Sequence, residues 1–137
     1  MKLQIFYDNT PYKLRNWQEV KKLVEAIIRN EGKTTGEISF IITSDDYLRN
    51  INKEFLNHDY FTDVISFNYS FDNIVAGEIY ISEDTVRNNS IEYNVDLDNE
   101  MLRVIIHGVL HLAGYNDETD TEKQKMKQLE DKWMVTI

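Results

Sequence analysis

An α+β fold with the element order β-α-β-α-β-β-α-α, a small mixed sheet packed with helices, is predicted by three features of this 137-residue sequence. Short segments rich in β-branched and aromatic residues alternate with longer ones whose apolar residues recur at helical spacing. Two of the strand-like segments follow each other across a short turn, as in a hairpin. No Pro-, Gly- or Ser-rich stretch and no repeat divides the chain, so residues 1–137 are expected to form a single domain.

Residues 2–7 (KLQIFY) have strand chemistry, and Asn16 with Glu19 marks a helix start before Trp17, Val20, Leu23, Val24, Ile27 and Ile28. Gly32 and Gly36 bracket a break, after which Glu37 to Thr43 reads as a second strand. Ser44 caps a helix carrying Leu48, Ile51, Phe55 and Leu56. Residues 63–69 and 75–81 are the adjacent strands, joined through FDN. From Asp96 or Asp98 a helix runs through Met101, Val104, Ile105, Val109 and Leu112 to Gly114. Thr119 and Glu122 form a capping box for a last helix that buries Met126, Leu129 and Trp133 and leaves lysines 123, 125 and 127 solvated.

Composition narrows the function. There is no cysteine, so disulfides, thiolate ligands and cysteine nucleophiles are excluded, and any metal must be held by His, Asp or Glu. No apolar run approaches the roughly 18 residues of a membrane span, and the first residues lack a signal-peptide core, so a cytoplasmic protein without a membrane partner is expected. A formal charge of −9 argues against strong nonspecific binding of nucleic acid, and a polyanionic substrate would need a bound cation or a local basic patch.

The chemistry concentrates in HGVLHLAGYND. His107 and His111 lie four apart on one helix face, and Gly114 allows a chain reversal that returns Asp117 as a third ligand. The spacing H-x-x-x-H-x-x-G-x-x-D is zincin-like and leaves coordination positions open for water. Gly108 stands where HExxH metallopeptidases place the Glu that deprotonates that water, which disfavours a peptidase and favours phosphoester chemistry. The competing reading makes both histidines ordinary hydrogen-bonded helix residues and Asp117 the end of a turn.

Residues 107–115 match every fixed position of H-G-x-L-H-L-x-G-Y, the start of the hallmark of the YbeY endoribonucleases, which continues D-H. The block at 51–67 (INKEFLNHDYFTDVISF) resembles that family's L-N-x-x-Y-R … T-D-V-L-S-F, and 77–82 (GEIYIS) its G-D-I-x-I-S strand. The resemblance covers about residues 40–130. It implies a metal-dependent, single-strand endoribonuclease in small-subunit ribosomal RNA 3′-end maturation and ribosome quality control. One Zn2+ or another divalent transition metal would be held by His107, His111 and Asp117. The partners it implies are ribosomal RNA, ribosomal proteins and an assembly GTPase. A non-catalytic assembly factor with a structural metal is the alternative, and a metallopeptidase ranks last.

Four departures from the family pattern matter. Asp117 replaces the third His ligand and Asn116 the preceding Asp; the extra carboxylate lowers the site's charge by one unit, so a pH-shifted activity is expected. Leu56 stands where the family has an arginine suspected of contacting RNA. Arg103, one turn before His107, is the candidate replacement, which with His107 and His111 completes the catalytic set; the competing reading is a surface arginine paired with Asn99 or Glu100. Glu78 replaces an Asp, with its carboxylate either in or out of the cleft. The resemblance implies that Thr62, Asp63 and Ser66 are cleft-side or structural polar groups, with turn capping the expected role of Thr62 and Asp63, and His58 is expected to be an exposed loop residue outside the metal site.

Overall fold

The computed structural model describes residues 2–56 and 63–135. Among these residues four strands, β1 (Leu3–Tyr7), β2 (Thr34–Thr43), β3 (Val64–Asn68) and β4 (Ile74–Ser82), form a sheet in the order β1-β2-β4-β3. β1, β2 and β4 run parallel and β3 pairs antiparallel with β4, which makes the sheet mixed as expected. Among the described residues five helices accompany it: α1 (Trp17–Asn30), α2 (Asp45–Leu56), α3 (Glu83–Glu92), α4 (Leu97–Leu112) and α5 (Asp120–Met134). None of them is long and apolar enough to cross a membrane.

The order departs from the expectation by one helix, α3. Its buried positions are Glu83, Val86 and Ser90, so it offers the core no apolar stripe and its sequence carries no helical period. Its start is nevertheless capped, with the Ser82 hydroxyl accepting from the Thr85 amide at 3.2 Å. Gly36 also departs from expectation. It lies inside β2, where the pairing with β4 shifts register between Thr35 and Ile38, and a Cβ there would sit 2.5 Å from Ile74 Cγ2. The strand therefore begins at Thr34, on the near side of that glycine.

Alternation in the strands builds two layers. Ile38, Phe40, Ile42, Val75, Ile79 and Ile81 point to the face covered by α1 and α4 and form the main core with Val24, Ile27, Ile28, Met101 and Ile105. The other face carries a smaller cluster of Leu48, Ile51 and Ile65, with Phe67 and Tyr80 against it, under α2. The side chains of Phe55 and Leu56, and residues His58 and Thr62, lie outside the described residues.

α4 is the element that sets the site. Met101, Val104, Ile105, Ile106, Val109, Leu110 and Leu112 are all buried, so the helix is apolar nearly all round, and each such side chain contributes about 1.5–3 kcal/mol of burial. Two glycines let it lie close to the sheet. A Cβ on Gly108 would meet Ile79 Cγ2 at 2.8 Å, and one on Gly77 would meet the Phe67 carbonyl oxygen at 2.3 Å and Leu112 Cδ2 at 2.8 Å.

Candidate metal centre

His107 and His111 occupy the strip of α4 that the sheet leaves uncovered, with side chains 22% and 27% exposed. Their Nε2 atoms approach to 3.0 Å. The chain then has to return a carboxylate to the same point. α4 ends in a Schellman turn, in which the Gly114 amide donates to the His111 carbonyl and the Tyr115 amide to the Leu110 carbonyl, with Gly114 at φ 111°. The turn is held from outside. Lys33 donates to the Ala113 carbonyl at 2.7 Å, and the Tyr115 hydroxyl donates to Glu31 at 2.8 Å. Asn68 and Ser70 donate to the Leu112 carbonyl, so the helix end has its carbonyls satisfied.

Past this turn Asp117 reaches both imidazoles, 3.3 Å from His107 Nε2 and 3.5 Å from His111 Nε2. Immediately afterwards the Thr119/Glu122 capping box starts α5, fixing the segment from its other side. One ligand atom from each of His107, His111 and Asp117 lies within 4.8 Å of the others, a group able to hold a metal ion. The donor set tests this directly. Ligands on a tetrahedral ion with bonds of about 2.0–2.1 Å stand about 3.3 Å apart, which matches these separations, and two imidazoles with one carboxylate are donors for a divalent ion.

A residue the motif does not contain completes the group. Glu130 of α5 lies 2.7 Å from His107 Nδ1; beside a carboxylate that nitrogen carries the hydrogen and donates, which turns the lone pair of Nε2 toward Asp117 and His111. Glu130 is itself buried, and its second oxygen accepts from Arg103 at 3.2 Å. Arg103 also pairs with Asp131 at 3.0 Å. The arginine thus lies on the His107 side of α4 as its spacing predicts, and its ion-pair partners come from α5 instead of Asn99 or Glu100.

Burial and charge act on these groups in opposite directions. Burial alone would lower the His107 pKa, but the Glu130 carboxylate, with Asp117 and Asp63 adding to it, raises it above the ordinary value. His111 goes the other way: burial and the neighbouring His107 lower it, against the pull of Asp117. Asp63 and Glu100 line the same cavity of about 350 Å³ as His107, Asp117 and Glu130. Burial raises the pKa of both carboxyls, opposed by His107 for Asp63 and by Arg103 for Glu100.

The other expected residues fall away from this point. Glu78 lies on the α2 side of the sheet and accepts from the Tyr69 hydroxyl at 3.1 Å, so its carboxylate is outside the metal group. Ser66 faces α4, and its buried hydroxyl has no hydrogen-bond partner among the described residues. The Asp63 carbonyl accepts from the Ser82 amide at the start of β3, while the residue lines the cavity described above. Sequence reasoning missed Glu130 and the place of Glu100 in this cavity, and it set the cleft-side position of Asp63 behind turn capping. A signal for Glu130 existed: with Met126, Leu129 and Trp133 it completes the i, i+3, i+4, i+7 stripe of α5, so a carboxylate occupies a core-facing position.

Comparison with known proteins agrees with this geometry. The family model described as Endoribonuclease YbeY matches residues 6–137. The chain is similar to the endoribonuclease YbeY of Christiangramia forsetii, 40% identical over 92% of this chain and 88% of the relative. It is also similar to that of Flavobacterium psychrophilum, 46% identical over 79% of this chain and 77% of the relative. A solution structure of a Thermotoga maritima protein superposes with a TM-score of 0.69 at 31% identity, covering 96% of this chain and 86% of that one. A fold with α4 against a mixed sheet, the ordered motif blocks and these relatives lead to one assignment: the chain belongs to the YbeY endoribonuclease family.

Proposed function

We propose that this chain is a metal-dependent endoribonuclease acting on single-stranded ribosomal RNA in small-subunit 3′-end maturation, with His107, His111 and Asp117 as the ligands of a zinc ion. The observation that carries the proposal is the convergence of these three side chains at 3.0–3.5 Å on the open strip of α4. A divalent ion bound there supplies Lewis-acid stabilisation of charge at phosphorus and makes water a stronger nucleophile at neutral pH. The chain's own residues supply the rest.

Glu130 holds the proton of His107 at Nδ1 and thereby fixes the ring's orientation; Arg103, in turn, balances the Glu130 charge in a buried setting. Arg103 thus serves the site first as a positioning residue. The peptidase reading has a steric argument against it. Position 108 faces Ile79 in the core, so a base placed there would point into the sheet. Ribosomal proteins, being basic, suit the acidic surface as delivery partners in the cytoplasm.

The test is cleavage of end-labelled precursor small-subunit RNA by metal-loaded wild type and His111→Ala, with chelated controls. Cleavage is expected from the wild type, lost on chelation, restored by metal, and absent from the variant. Equal cleavage by a correctly folded His111→Ala would refute the proposed ligand set.

A further inference from the structure

A net charge of −9 poses a problem for any enzyme that must hold a polyanion, and the cleft beside the metal group contains an answer. The larger cavity there, about 720 Å³, is lined by His107 and Asp117 and also by Lys123, Lys127 and Tyr93. Arg103 also lines it, but its charge is taken up by Glu130 and Asp131. The two lysines differ: both are exposed, and neither ammonium takes an ion pair or hydrogen bond among the described residues. They are four apart on α5, hence about 5–6 Å apart at Cβ on one face, whereas Lys125 does not line the cleft. Tyr93, at the end of α3, is 61% exposed and lines both cavities that include His107. An exposed ring and unpaired cations along one groove are the parts from which single-strand sites are built: stacking for bases and charge for the backbone.

We infer that this cleft is the track for the RNA strand, with Lys123 and Lys127 holding backbone phosphates and the Tyr93 ring stacking on a base on its way to His107 and Asp117. The inference rests on the endoribonuclease reading above and adds the residues that bind substrate. It also reassigns two lysines whose sequence context reads as solvated helix surface.

Steady-state cleavage of a single-stranded oligoribonucleotide by the metal-loaded protein, at stepped salt concentrations, tests it. In the Lys123→Gln/Lys127→Gln variant KM should rise about tenfold with kcat within about twofold of wild type. The slope of log(1/KM) against log salt should flatten by roughly 0.7 per lost phosphate contact. Tyr93→Leu should raise KM about tenfold, and Tyr93→Phe should not. Lys125→Gln should match wild type. A double variant with wild-type KM and salt slope, or a Lys125→Gln variant with the same loss, overturns the track while leaving the nuclease intact. A wild type that cuts no RNA overturns the endoribonuclease reading itself, and the track with it.

Discussion

The two C-terminal helices contribute to the same site on opposite terms. α4 is buried on nearly every side, and its two histidines occupy the strip that the sheet leaves uncovered, where Glu130 of α5 meets His107. α5 buries one stripe, Met126, Leu129, Glu130 and Trp133, and leaves its lysines in solvent. The difference assigns their tasks. α4 is a rigid platform whose side chains cannot change without disturbing the core, while α5 adjusts the charge around the platform at little cost to the fold.

The strongest way to break this comparison is to ask α4 for a residue it has no room for. Gly108→Glu would complete an HExxH spacing, yet it places a Cβ 2.8 Å from Ile79 and an unpaired carboxylate in the core. A loss of roughly 3–5 kcal/mol is expected, read by denaturant unfolding, with no peptidase activity gained. A stable Gly108→Glu protein would show α4 to be far less constrained than described.

On α5 the expected effect is on the metal and not on the fold. Glu130→Gln keeps the shape of the side chain and removes the charge beside His107 Nδ1, so zinc affinity measured by chelator competition should fall roughly 10- to 100-fold. Unchanged affinity would separate α5 from the metal group.

Titration sharpens the same contrast. A group raised in the folded state, as His107 is, adds stability that is complete below the unfolded value of 6.5 and is lost as pH rises through the folded one. His111, lowered by burial and by His107, has the opposite sign, and its contribution is lost as pH falls below 6.5. The histidine contribution to the stability of the metal-free chain should therefore peak near pH 6.5, seen as the difference in denaturation midpoints between wild type and a His107→Gln/His111→Gln variant. Metal affinity should instead rise with pH through the His107 titration, because ligation needs the neutral ring. In Glu130→Gln that rise should move to lower pH.

The smallest effect expected is at the junction of the two helices. Thr119→Ala removes the capping-box hydroxyl, which accepts from the Glu122 amide at 3.1 Å, and should cost about 1 kcal/mol, or about 4 °C in Tm. Metal affinity should fall only to the extent that Asp117, two residues earlier, relies on that cap for its position.

Much of this protein is written in local pattern. His107 and His111 meet because four residues make about one helical turn; Gly114 reverses the chain because it tolerates φ 111°; Thr119 and Glu122 start α5 by bonding to each other. Each depends on neighbours within a few positions, so each was legible, as were the hairpin of β3 with β4 and the buried stripe of α1. α3 was not, because it is held by a cap and by its neighbours without an apolar face of its own. Tertiary structure alone decided that Glu130 holds His107 across 23 residues, that Arg103 turns to α5, and that Asp63 shares their cavity. It also put Glu78 on the far side of the sheet and set Lys123 and Lys127 along the cleft. The physical reason is range: helical and turn geometry relate residues a few positions apart, whereas a charge acts on whatever the packing of the core brings within a few ångströms, however distant along the chain.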